Sequence, residues 1–194
     1  MTTQSTFPVL RSERLVLREM READLALLCS YLGDFEVSKS LSSQPHPFLE
    51  ADGRDYIEQA LANNTAENVT WAIELDGQFC GGFKAKELHG AASVGYWLGR
   101  EHWGKGLMSE ALHLALTYLF QKRGLETLQT GAFRCNPASL RVLQKVGFVT
   151  KGLRTNTSNA RGGEELEEEF LKVSIDQFRT ESDEHSPFKD KELL

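Results

Sequence analysis

The stretch GREHWGKGLM, residues 99–108, sets three glycines and a lysine just ahead of an apolar run. Gly99, Gly104 and Lys105 match a phosphate loop of the form G-x-x-x-x-G-K, whose next residue is a magnesium-binding Ser or Thr. Here that residue is Gly106, and no acidic strand of a second nucleotide-triphosphatase motif follows, so Mg-ATP chemistry is not expected. What remains is an anion site. Glycines let the main chain approach a ligand, and a helix starting behind them adds unpaired N–H groups and its positive dipole end. A pyrophosphate held without magnesium suits that equipment, and coenzyme A carries one. The competing reading is a tight strand-to-helix turn with no ligand.

A second cluster is NPASLRVLQKVGF, residues 136–148. Asn136 reads as a helix N-cap, Pro137 as the first helical residue and Ser139 as a first-turn hydroxyl. Taken alone, this is helix-start chemistry.

The elements around the two clusters follow from periodicity. RLVLREM alternates Leu15 and Leu17 with Arg14, Val16 and Arg18, which predicts a strand. EADLALLCSYL puts Leu25, Leu28 and Leu32 on one face of a short helix, and Ile57 and Leu61 mark a second helix. Between them SKSLSSQPHPF is a Ser/Pro-rich loop, expected to be mobile and to face substrate. TWAIEL, Asp76-Gly77 and QFCGGFKAKEL read as a hairpin, followed by a strand over ASVGYWLG. Behind the glycine loop, SEALHLALTYLFQKRG is apolar around most of its circumference and ends at Gly124, which predicts an interior helix packed on a sheet. LETLQTGAF, GFVTKG and LEEEFLKVSI complete the strands.

The 194 residues are 40% apolar and 26% charged, the balance of a soluble globular protein. One domain is expected over 1–179, with a disordered acidic tail over 180–194. Nothing approaches the roughly 18 apolar residues of a membrane span, and MTTQSTFPVLRSERL lacks secretory-signal features, so a cytoplasmic location away from membranes is the default. The net charge of −6 is local: residues 164–194 hold eleven acidic and four basic residues, and the remainder is close to neutral. There is no basic stripe with interleaved aromatics, so direct nucleic-acid binding is not expected. Cys29, Cys80 and Cys135 are too few and too far apart for a disulfide framework or zinc knuckle; they read as free core thiols, with no metal site.

Together, RLVLRE, VGYWLG-REHWGKGLMSEAL and NPASLRVLQKVGF resemble the GNAT superfamily of acyl-CoA-dependent N-acetyltransferases. They are most similar to its branch of RimJ and RimL ribosomal-protein N-terminal acetyltransferases, over roughly 12–178. Glu101, where the wider superfamily carries Gln or Arg, is common in that branch. The resemblance implies a mixed α/β fold, a twisted and mostly antiparallel sheet with helices on both faces, splayed to admit acetyl-CoA. It implies that Trp97, Leu98 and Gly99 offer main-chain groups to the pantetheine and acetyl carbonyl. Trp103, Gly104, Lys105, Gly106, Leu107, Met108 and Ser109 would wrap the pyrophosphate, with Lys105 adding charge or facing solvent. Asn136 would bond the pantetheine, and Ser139 would donate to the departing thiolate. Other branches use a helix tyrosine for that donation, but the matching residue here is Leu143. Trp103 and Tyr96 read as packing residues.

The general base is less determined. The position that carries a carboxylate on the strand before the loop in related enzymes is Ser93, and the glutamate of RimL-like enzymes falls on Ser158. Glu164, in the acidic run EELEEE (164–169), is the candidate after a small gap; its alternative is a solvated hairpin. His89 and His102 read as surface histidines. A weak base favours an α-amine over lysine: with pKa values of about 7.7–8.0 and 10.4, the lysine costs roughly 3.5 kcal/mol more to deprotonate. An acidic run lining the cleft would also attract a cationic acceptor. The acceptor is therefore an amine, with the protein or peptide N-terminus favoured. A small amine (antibiotic or polyamine) and a non-catalytic acyl-CoA sensor remain the alternatives. A homodimer is compatible with this branch, though no residue demonstrates one.

Overall fold

A computed structural model describes residues 7–178. Eight strands form one sheet: β1 (Leu10–Arg11), β2 (Leu15–Arg18), β3 (Val69–Leu75), β4 (Gln78–Lys86), β5 (Ser93–Leu98), β6 (Thr127–Phe133), β7 (Val149–Ser158) and β8 (Glu164–Ser174). Their spatial order is β1-β2-β3-β4-β5-β6-β8-β7, and every neighbouring pair is antiparallel except β5 and β6. The hairpin between β3 and β4 turns at Asp76-Gly77, both with positive φ (51° and 80°), as that dipeptide prefers.

Helices cover both faces. On one, α4 (Leu107–Gln121) and α5 (Pro137–Lys145) enclose a core that includes Trp71, Phe83, Leu112, Leu116, Leu143 and Leu171. On the other, α1 (Leu25–Gly33), the single turn α2 (Phe35–Ser38) and α3 (Glu50–Ala62) cover a smaller core of Leu28, Leu32, Ile57, Phe79 and Trp97. Leu61 departs from the expected stripe. It is exposed, and Gly53, Ile57 and Ala60 form the buried face of α3.

The strand β2 also departs from simple alternation. Arg18 is only 5% exposed, because Nη1 and Nη2 donate to the two carboxylate oxygens of Asp24, each at 2.8 Å, while Nε donates to Glu74. Strand β7 runs on to Ser158, well past the GFVTKG expected from the sequence, although nearly all of it is exposed. Its order comes from the ladder with β8 and from Arg154 pairing with Glu168, neither of which leaves an apolar pattern. The thiols are not uniformly internal: Cys80 is buried, Cys29 half-buried and Cys135 exposed. The tail expected over 180–194 lies outside the described residues, among which no helix is long and apolar enough to cross a membrane.

The feature that shapes the site is the seam between β5 and β6. These parallel strands share one paired position, Ser93 with Gln129. Gln129 donates its N–H to Ala92 O at 2.9 Å. The next carbonyl, Val94 O, accepts from the Thr130 hydroxyl at 2.8 Å, where a main-chain N–H would have continued the ladder. Beyond that point the strands part.

Candidate active site

The first cluster lies at the end of β5, beside the opening. Gly104 and Gly106 have φ of 73° and 75°, the left-handed region that glycine occupies without strain, and Gly106 caps α4. The N–H groups of Gly104, Lys105 and Gly106 find no partner among the described residues, and the first turn of α4 adds its own unpaired donors. The loop thus presents a row of N–H groups backed by a helix dipole, which fits an anion. Lys105 is exposed; Leu107 and Met108 are buried and anchor the helix, and Ser109 is half-buried.

Two anchors hold this loop. Arg14 donates from Nη1 to Lys105 O at 3.1 Å and from Nε to Glu110 at 2.7 Å, and Ser12 Oγ donates to the same carboxylate at 2.7 Å. On the other side the Trp103 indole N–H donates to Leu98 O at 2.9 Å while its ring is 45% exposed, so Trp103 is a strut rather than a packed residue. His102 is half-buried rather than on the surface, in contact with Tyr31 OH at 3.2 Å, and burial lowers its pKa. Tyr31 OH also donates to Glu101 at 3.1 Å. Removal of the Arg14 tether loosens the loop without touching the reacting atoms. Arg14→Ala is expected to raise the KM for acetyl-CoA about fivefold, the worth of one exposed charge-assisted bond, with kcat nearly unchanged; steady-state kinetics checks this.

Of the main-chain groups on Trp97, Leu98 and Gly99, one donor faces the seam. Gly99 N–H donates to Cys80 O at 2.9 Å, toward β4. By the alternation of a strand, Leu98 N–H points the other way, into the space that β6 has vacated. Trp97 turns its indole to the second core, with Nε1 donating to Tyr56 OH at 3.2 Å.

The second cluster meets the first across this opening. Asn136 caps α5 by accepting from Ser139 N–H at 3.2 Å. Ser139 Oγ lies 2.9 Å from Tyr96 OH, and Tyr96 stacks on Phe83 with centroids 6.4 Å apart. Burial raises the Tyr96 pKa, so the phenol keeps its proton through the neutral range. Tyr96 therefore does more than pack: it brings a strand tyrosine hydroxyl to Ser139, where the helix offers only the buried Leu143.

Glu164 is not brought to this place. It is exposed, opens β8 and pairs with Arg161 at 3.3 Å. Within the same acidic run, Glu167 pairs with Arg134, Glu168 with Arg154, and Glu169 accepts from Thr150, so local partners absorb most of its charge. Ser158 is fully buried and donates to Lys39 O and Leu41 O at 3.3 and 3.1 Å. Together with Asn159 and Arg161, it ties the 38–48 loop to the β7–β8 hairpin, so that loop is tethered where mobility was expected. His89 is exposed, as expected.

On the second face the loop roofs a cavity of about 240 Å³ along β4 and β5, reaching the seam at Val94 and Tyr96. Gly82, Lys84, Lys86, Ser93 and Gly95 line the sheet side, and no Asp or Glu lines it. Arg14 and Glu110 stand in the quoted strand and helix motifs but take no site role there, and Tyr31 and these lysines lie outside the three family motifs. The one local signal was the two-residue spacing of Lys84 and Lys86, which places both on the same face of a strand.

Residues 14–149 match the acetyltransferase (GNAT) domain family. The chain belongs to the GNAT acetyltransferases. It is an acyl-CoA-dependent N-acetyltransferase. The chain is 32% identical over 160 residues to the uncharacterized N-acetyltransferase p20 of Bacillus licheniformis, covering 79% of this chain and 89% of that one. RimL, a ribosomal L7/L12 α-N-protein acetyltransferase solved with coenzyme A, superposes with a TM-score of 0.76 at 19% identity, over 88% of this chain and 99% of its own. The spermidine N-acetyltransferase of Vibrio cholerae, solved with coenzyme A and spermine, gives 0.72 at 17%, over 87% and 99%. The shared fold thus spans acetyltransferases with protein and small-amine acceptors, and the acceptor must be argued from the cavity.

Proposed function

We propose that this GNAT enzyme is RimJ/RimL-like and transfers an acetyl group from acetyl-CoA to the α-amine of a peptide or protein N-terminus, acting in the cytoplasm as one domain over 1–179. The observation that carries the choice of acceptor is the cavity lining beside the seam, along which no Asp or Glu stands; Asp52 and Asp55 lie in the adjoining recess, which shares Tyr56 and Lys84 with this lining. An α-amine needs least help: at neutral pH roughly a tenth is already free base, and a lysine side chain or polyamine has far less.

When bound, acetyl-CoA supplies a thioester whose carbonyl lies in the seam. Gly104, Lys105, Gly106 and the first turn of α4, Leu107 to Ser109, receive its pyrophosphate, and Asn136 Nδ2, which has no partner among the described residues, receives the pantetheine. Leu98 N–H donates to the carbonyl oxygen as negative charge develops there. The neutral amine arrives from the cavity on the opposite face; its N–C bond forms as the C–S bond breaks. Ser139 gives its hydroxyl proton to the departing sulfur; water takes the ammonium proton, and an equal proton returns from water through Tyr96 OH to Ser139, so that the thiol and the amide leave with no net change in protons.

The test is mass spectrometry of acceptor mixtures incubated with enzyme and acetyl-CoA: peptides with varied N-termini, Nα-blocked lysine, polyamines and aminoglycosides. Acetyl groups confined to peptide α-amines are expected. Transfer to the small amines alone would replace this reading. In parallel, acetyl-CoA at about a hundredfold excess over its Kd is expected to raise Tm by roughly 5–10 °C, and Mg-ATP to leave it unmoved.

A further inference from the structure

The cavity holds an imbalance that neither the fold nor acetyl transfer itself requires. Lys84 is half-buried and Lys86 exposed, side by side on β4, and neither pairs with a carboxylate among the described residues. Other cations on the folded core are matched by carboxylates, Arg18 by Asp24 and Glu74, Lys39 by Glu36 and Arg154 by Glu168, whereas these two share a recess with each other. Burial first, then the neighbouring Lys86, bring the Lys84 ammonium down to about 8. Two adjacent ammonium groups in a recess are a cost to the folded chain, and such costs gather at binding sites. There is also room for a ligand. Gly95 lies opposite Lys84 on β5, and a side chain added there would meet no atom within 4 Å, so open space extends from the lysine to the seam. Asp52 and Asp55 line the adjoining recess, which shares Ser43, Gln44, Tyr56 and Lys84 with the cavity.

We propose that Lys84 and Lys86 form a carboxylate subsite, so that the preferred acceptor is an amine with a carboxylate a few atoms away. This rests on the α-amine reading above and narrows it. The carboxylate has two sources: an Asp or Glu side chain early in a peptide, or the α-carboxylate of a free amino acid. Seated between two ammonium groups, it accepts charge-assisted hydrogen bonds from both. The same positive field disfavours the protonated form of the incoming amine and repels polycations, which supplies part of what a general base would do. Recognition and activation of the amine then come from one pair of side chains.

The experiment compares kcat and KM, at saturating acetyl-CoA, for peptides beginning Ser-Glu and Ser-Gln, for free glutamate, and for spermidine. Wild type is expected to favour Ser-Glu over Ser-Gln about tenfold in kcat/KM, mainly through KM. In the Lys84→Gln/Lys86→Gln variant the ratio should fall to about one, and Lys84→Glu/Lys86→Glu should turn the preference toward a peptide beginning Ser-Lys. The stabilisation by acetyl-CoA, retained in both variants, shows that they fold. Faster transfer to free glutamate than to Ser-Glu would support the subsite and identify a free amino acid, rather than a peptide, as its occupant. Equal rates for Ser-Glu and Ser-Gln in wild type, with free glutamate no faster than either, would overturn the subsite and leave the α-amine reading standing. A preference that survives in the double Gln variant would also overturn it. Transfer to spermidine with no peptide or amino acid acetylated would overturn both.

Discussion

Ser139→Ala is expected to lower kcat about a hundredfold while leaving the acetyl-CoA stabilisation in place. The hydroxyl is the group placed to protonate the leaving sulfur, and a positioned proton donor is worth roughly 10²–10⁴ in rate, with water substituting at the lower end. The helix itself should not suffer. Asn136 caps α5 through the Ser139 main-chain N–H, which alanine keeps, and alanine is the better helix former. Tyr96→Phe keeps the stack on Phe83 but removes the hydroxyl 2.9 Å from Ser139 Oγ, and a smaller loss of about tenfold is expected. Because burial raises the Tyr96 pKa, the residue stays a donor on the alkaline side of neutrality. The kcat profile should therefore show no loss from Tyr96 ionisation between pH 7 and 9, and the Phe variant should keep the same profile shape. Full turnover in Ser139→Ala would remove the serine from the chemistry and leave Tyr96 or water as donor.

Asp24→Ala is expected to be the most damaging substitution for stability. It strips the bidentate partner from a guanidinium that is only 5% exposed, and also breaks the bond from Arg21 N–H to Asp24 Oδ2 at 2.9 Å. Removing one member of a buried ion pair costs about 3–5 kcal/mol, since the survivor stays out of water uncompensated. For a chain of this size that corresponds to a Tm lower by roughly 6–20 °C, read by thermal or urea unfolding. Glu74 also bonds Arg18 and holds the outcome toward the lower end. The loss would extend to the site. Arg18 joins β2 to the turn that starts α1, and α1 carries Tyr31, which steadies Glu101 and His102 beside the glycine loop. A variant with unchanged Tm would show that Glu74 alone satisfies the guanidinium.

The features readable along the chain were those whose cause is local. Asp76-Gly77 turns the hairpin because both residues tolerate positive φ, Asn136-Pro137 starts α5 because one caps and the other suits the first turn, and Gly106 starts α4 where its φ of 75° is free of strain. The apolar helix behind the loop had to be interior, and it is. With the order of strands and helices, these clusters were enough to indicate the GNAT family.

The remaining features depended on partners far away in sequence. Arg18 is buried because Asp24 and Glu74 converge on it, and an alternating pattern could only place it outside. Strand β7 carries almost no apolar residue, so its length shows only in the ladder to β8. The acidic run reads as a cleft electrode until the fold supplies Arg161, Arg134 and Arg154 to neutralise it. Tyr96 becomes Ser139's partner because α5 returns over the end of β5, and Lys84 and Lys86 become a pocket floor because α1 and α3 leave that part of the second face uncovered. Periodicity tells which side of a strand a residue takes. Only the packing of distant elements decides whether that side becomes core, solvent or site.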